Sequence, residues 1–314
     1  MKNIRQIPSL RSRRDLIAAG GAFWLIRSVP ALALVETAAP SSTDHNLPRA
    51  VDQHMSTRTA PIELIGNWGQ MIPGAVQTVL ALARTSALEE IRLLSDRQPA
   101  RIKVDEHRSG PPSIWLHKDE PATAWVIVDI GERAWSQLAY QFGHELGHVL
   151  ANSWQPDAKP GGPCQWLEEA LVEAFSLSGL RRLAAHWKAS PPFRGDNAYG
   201  DALKTYRLDV ELKYSTLARQ QGGTSDFAAW FQRNRANAEA GGGLNAFARA
   251  AVGTFLSMYE EHRGCAEALG ALNRWPGRAN VPIEDYLRRW RASCSELGAS
   301  TKLPRMIQAE LGLA

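Results

Sequence analysis

Two histidines four residues apart enclose a glutamate in the run His144-Glu145-Leu146-Gly147-His148. On a helix each residue advances ~100°, so positions i and i+4 lie on one face. His144 and His148 would therefore present their imidazoles to one point, with Glu145 bordering the same face. Two imidazoles suit zinc, and one further protein ligand would leave a position open for water. Glu145 would stand near enough to take a proton from such a water, and too near it to be a ligand from the same turn. The flanking Leu138, Ala139, Phe142, Leu146, Val149 and Leu150 supply the apolar face that such a helix needs.

The third ligand has to come from a second helix packed against the first. The segment Trp166-Leu167-Glu168-Glu169-Ala170-Leu171-Val172-Glu173-Ala174-Phe175 is placed to supply it. Glu169 and Glu173 share a face, while Glu168 points ~100° away from Glu169 and is the competing ligand. Acids among so many apolar neighbours are costly to bury unless something positive compensates, and a zinc–histidine pair does so.

HELGH followed by a Trp-Leu-acid-Glu-Ala segment resembles the gluzincin metallopeptidases, the group that contains thermolysin-like and aminopeptidase-like enzymes. The resemblance spans residues 124–180. It implies that His144, His148 and Glu169 hold Zn2+, that Glu145 is the general base, and that Glu173 orients His144. The Trp-Leu-x-Glu alignment and the carboxylate one turn later favour Glu169 over Glu168. It also implies that an extended peptide or protein substrate pairs with the strand running from Trp125 to Asp129. Family enzymes carry a downstream Tyr or His that stabilises the oxyanion. His186, Tyr199, Tyr206 and Tyr214 are the candidates here, and no motif chooses among them.

The elements that must position these residues follow from periodicity. A helix is expected over 73–95, where Val76, Val79, Leu80, Leu82 and Ala83 make an apolar stripe behind Pro73 and Gly74. Extended runs at 101–106, 113–117 and 124–130 read as strands; Ile102 and Val104 alternate with Arg101, Lys103 and Asp105. The two site helices are expected at 132–153 and 166–188, separated by a Pro- and Gly-rich loop that neither can cross. Further helices are expected near 199–219, 225–239, 244–263, 265–274, 282–297 and 303–312. The fold class is α+β. A small N-terminal helix-and-sheet lobe (61–131) is followed by zincin-type site helices (132–190) and a mostly helical C-terminal lobe (191–314).

Residues 1–33 read as an export signal. Basic residues lead into Ser12-Arg13-Arg14-Asp15-Leu16-Ile17, an apolar run continues to Ile26, and Ala31-Leu32-Ala33 offers a cleavage site. Arg13-Arg14 in this setting resembles a bacterial twin-arginine signal. The apolar run is shorter than the ~20 residues of a membrane span, and Arg27 interrupts it. Residues 34–60, rich in Ala, Ser, Thr and Pro, read as a linker. A periplasmic or secreted location is expected, with no stable membrane span.

The formal net charge is +4, and Lys2, Arg5, Arg11, Arg13 and Arg14 of the leader account for much of it. The remaining charge is dispersed, which argues against a nucleic-acid partner. Of the three cysteines, Cys265 and Cys294 are expected to form a disulfide across an antiparallel helix pair, with Cys164 left free. No CxxC occurs, so a cysteine-based metal site has no support.

These features converge on an exported zinc metallopeptidase that hydrolyses peptide bonds with a metal-activated water. The alternative is a non-catalytic envelope protein whose zinc site is structural or vestigial, against which the intact Glu145 argues. Hydrolysis of a non-peptide amide is a third reading.

Overall fold

Ile102, Val104, Ala124, Val126 and Val128 alternate along two neighbouring strands and are all fully buried. In this computed structural model they make the inner face of a sheet, against which the helix that carries His144 and His148 packs. The structure describes residues 56–107, 110–130, 134–155, 158 and 161–313. The leader with Arg13 and Arg14, and most of the linker 34–60, lie outside the described residues.

The chain is α+β. A helical turn α1 (Ser56–Thr59) precedes β1 (Ile62–Gly66), α2 (Pro73–Ala87), β2 (Arg101–Glu106), β3 (Ser113–Ile114) and β4 (Thr123–Val128). The sheet order is β1-β2-β4-β3. The first three run parallel, with Ile62 opposite Ile102 and Ile102 opposite Ala124. β3 is antiparallel, with Ile114 opposite Val126. Then come α3 (Trp135–Leu150), α4 (Gln165–Ala189), α5 (Tyr199–Gln220), α6 (Phe227–Ala240) and α7 (Ala246–Glu261). A 3-10 segment (Cys265–Ala271), α8 (Ile283–Leu297) and α9 (Lys302–Glu310) complete the described part. None of the helices described is long and apolar enough to cross a membrane.

Several expectations need correcting. The helix expected over 73–95 stops at Ala87. Its last carbonyls are claimed from elsewhere: Arg182 donates to Ser86 O at 2.7 Å and Arg58 to Leu88 O at 2.9 Å. Of the run 113–117 only Ser113 and Ile114 are strand. β1 carries no clean alternation, since Ile62 is buried while Leu64 and Ile65 are both half-buried, and periodicity does not announce it.

The disulfide is also corrected: Cys164, Cys265 and Cys294 are all free and buried. The expected antiparallel return does not form. Trp290 Nε1 donates to Ala268 O and Ser293 Oγ to Ala271 O, each across 22 residues. The 3-10 segment and α8 therefore advance in the same direction, and this register sets Cys265 and Cys294 at opposite ends of the contact. Cys265 instead turns its Sγ to Met258 O at 3.4 Å.

The centre of the molecule is α4, a 25-residue helix buried without interruption from Trp166 to Leu180. Such all-round burial explains why it has no one-sided apolar stripe. Its contact with α3 is close because α3 offers glycines. A Cβ on Gly147 would lie 2.7 Å from Val172 Cβ and 3.2 Å from Val172 Cα, and one on Gly143 would lie 2.9 Å from Ser176 Oγ. Ser176 Oγ in turn donates to Tyr140 O at 2.7 Å. Each glycine sits one residue before a histidine, so the closest backbone approach falls beside the imidazoles.

Gly147→Ala is expected to destabilise the protein by ~1–2 kcal/mol, because overpacking against backbone exceeds the ~1 kcal/mol gained in helix propensity. Gly143→Ala should cost less, since a serine hydroxyl can turn aside. Urea unfolding of both variants checks the order, and a Gly147→Ala protein as stable as wild type would contradict the close contact. Thiol titration of the protein unfolded without reductant should find the three free cysteines.

Candidate metal centre

α3 ends where its site residues end. Asn152 takes the left-handed conformation at φ 63, Asn152 N donates to Val149 O at 3.2 Å and Ser153 N to His148 O at 2.9 Å. This double closure caps the last carbonyls of the helix. It also turns Ser153 back toward α4, where its hydroxyl donates to Glu168 Oε1.

α3 and α4 bring His144, His148 and Glu169 together. One ligating atom from each lies within 4.8 Å of the others. Nε2 of His144 is 3.4 Å and Nε2 of His148 is 3.5 Å from Glu169 Oε2. Ligands at ~2.0–2.2 Å from a tetrahedral zinc stand ~3.3–3.5 Å apart, so both distances to Glu169 fit. The donor set of two imidazoles and one carboxylate fits zinc chemically as well.

The other ring nitrogens are also spoken for. His144 Nδ1 is 2.7 Å from Glu173 Oε2, and His148 Nδ1 is 2.8 Å from Glu168 Oε1. A carboxylate at Nδ1 holds the proton there and leaves the Nε2 lone pair facing the site. Glu173 therefore takes the place expected for it, next to His144. Glu168 does not join the ligating group; it is the counterpart of Glu173 for His148. Its role had a signal in the sequence, since two imidazoles need two outer acceptors and α4 offers three acids.

Glu173 is fully buried and its Oε1 accepts from Tyr140 at 2.5 Å and Tyr214 at 2.8 Å. Burial and the Glu173 charge together push both phenols well above their ordinary range. Tyr214 is thus committed to Glu173. Of the other oxyanion candidates, Tyr199 accepts from Ser136 N at 2.9 Å, and His186 faces Ser86 Oγ at 3.1 Å and Glu89 at 3.5 Å, away from the site. Tyr206 packs its ring on Tyr140 at 5.6 Å.

Glu145 is 2% exposed, and burial pushes its carboxyl up to about 7 against the pull of His144 and His148. Burial would lower the His144 imidazole, but Glu169 and Glu173 outweigh it and take it up to about 9. His148 is raised in the same sense by Glu169 and Glu168, again against burial. Glu169 is held well below the usual carboxylate range by the two histidines, despite its burial. The pocket is built for positive charge.

Residues remote in sequence complete the site, and no spacing signal points to them. Asn273 Nδ2 and Arg278 Nη1 donate to Glu168 Oε2 at 2.9 and 3.2 Å. Cys164 lies outside the ligating group, with Sγ 3.2 Å from Val281 O, and burial pushes its thiol up.

The expected substrate strand is corrected. β4 is interior: β2 pairs with it from Thr123 to Val128, β3 takes Val126 and Ile127, and Trp115 N donates to Trp125 O at 2.9 Å. The Trp125 to Asp129 stretch therefore has no free edge along Trp125, Val126 and Ile127, and the edge on that side belongs to β3. Trp115 and Trp125 meet edge to face with centroids 4.4 Å apart.

No protein-family model, curated protein or solved structure matches the chain.

Glu169→Ala is expected to abolish tight zinc binding. Glu173→Ala and Glu168→Ala should each weaken it ~10- to 100-fold, as loss of an outer partner of a metal-bound histidine does. Competition with a chelator measures all three. Tight binding by Glu169→Ala alongside none by Glu173→Ala would exchange their roles.

Proposed function

We propose that this protein is a zinc-dependent metallopeptidase of gluzincin type, exported from the cell. The observation that carries the proposal is the convergence of His144, His148 and Glu169, with Glu145 buried on the same helix turn. Among the described residues three side chains form the group, the number of protein ligands that a catalytic zinc site uses while its fourth position takes water. A structural site would be closed by a fourth protein ligand. Zinc held there would supply Lewis acidity, polarising a carbonyl and making water acidic near neutral pH.

The chain's own residues do the rest. Glu145, raised to about 7 by burial, is suited both to take a proton from water and to give it to the departing amine. Glu173 and Glu168 keep the two imidazoles oriented throughout. Trp115, exposed just after β3, offers apolar contact to a peptide substrate. The leader motif around Arg13-Arg14 supports export.

Glu145→Gln is expected to keep about one zinc per chain and to lose peptide hydrolysis by ~100-fold or more, because an amide cannot accept the proton. Elemental analysis and cleavage of a peptide library test the two halves together. Near-normal cleavage by Glu145→Gln would remove Glu145 from the role. Full zinc content in a His148→Ala protein would remove the metal assignment.

A further inference from the structure

Glu168 is gripped from four sides. Its Oε1 faces His148 Nδ1 at 2.8 Å and accepts from Ser153, while Oε2 accepts from Asn273 at 2.9 Å and Arg278 at 3.2 Å. Asn273 and Arg278 belong to the loop between the 3-10 segment and α8, 105 and 110 residues after Glu168.

Arg278 is the telling member. Its side chain is 8% exposed, and Nη1 reaches Ser153 Oγ at 2.7 Å as well as Glu168. Nε and Nη2 are buried with no hydrogen-bond partner among the described residues. Withdrawing a guanidinium from water with most of its donors unused is costly. The compensating contact is the one with Glu168. Asn273 is equally constrained. It adopts φ 58, and its Oδ1 accepts from Tyr286 at 2.6 Å, which turns the amide nitrogen toward Glu168.

We propose that Arg278, together with Asn273, is a positioning residue of the metal centre, fixing the Glu168 carboxylate so that it orients His148. The inference rests on the zinc reading of the His144, His148 and Glu169 group. The two donors on Oε2 stop the carboxylate from rotating about its last bond. Oε1 then stays on His148 Nδ1, and His148 Nε2 stays aimed into the site. Without Arg278 the carboxylate keeps fewer donors and the imidazole loses its fixed acceptor.

Zinc affinity of the full chain, by chelator competition, and the visible spectrum of the Co(II)-substituted protein test this. Arg278→Ala is expected to weaken zinc binding ~10-fold and to alter the Co(II) spectrum, and Arg278→Lys to recover part of the loss. Arg274→Ala is the matched control. Arg274 pairs with Asp96 at 2.5 Å and not with Glu168, so its loss should lower the melting temperature while affinity and spectrum stay unchanged. Equal affinity losses in the two alanine variants, or none in Arg278→Ala, would overturn the proposal. If Arg278→Ala does not fold, unchanged affinity and spectrum in both Arg278→Lys and Asn273→Ala would overturn it. A wild-type chain that binds no zinc would instead overturn the reading on which the proposal rests.

Discussion

Glu168, Glu169 and Glu173 lie within a helix that has almost no contact with solvent as far as Leu180. Each buried carboxylate carries a desolvation cost that only matched donors and opposite charge can offset. The arrangement of the core follows from that requirement. Glu173 draws Tyr140, Tyr214 and His144; Glu169 draws the inner nitrogens of both histidines; Glu168 draws His148, Ser153, Asn273 and Arg278. α3, α5 and the loop before α8 are thereby tied to one helix by polar contacts in an otherwise apolar interior. Such networks specify a single arrangement more strictly than apolar packing does, because a half-satisfied version is worse than none.

The contact between α3 and α4 makes this possible by bringing the backbones unusually near. With side chains at 143 and 147 the helices would stand apart, and the carboxylates of α4 would fall short of the imidazoles of α3. The glycines and the histidines interleave along one run, so the sequence that offers the imidazoles also provides the space for them to meet the carboxylates.

Much of this was legible beforehand. The HELGH run, its apolar flanks and the three acids of α4 identify the centre, because ligand spacing and helical periodicity are both local properties. Helix positions in the C-terminal lobe were readable within a few residues for the same reason. What could not be read depends on contacts across the chain. The early end of α2 comes from arginines elsewhere that claim its carbonyls. The parallel course of the 3-10 segment and α8 sets Cys265 and Cys294 apart, where an antiparallel helix pair was expected. The interior place of β4 depends on β3 folding over it, and only two residues of β3 are strand. Asn273 and Arg278 carry no local pattern at all.

The distance along the chain between Glu168 and its last two donors has a consequence for biosynthesis. α3 and α4 leave the ribosome long before residues 273 and 278 are made, and domains assemble from the N-terminal side at ~5–20 residues per second. For that interval the nascent chain holds the carboxylate of Glu168 without two of its four partners. The histidine pair can form before Glu168 is anchored, so the order of translation separates the gathering of the site from its final locking.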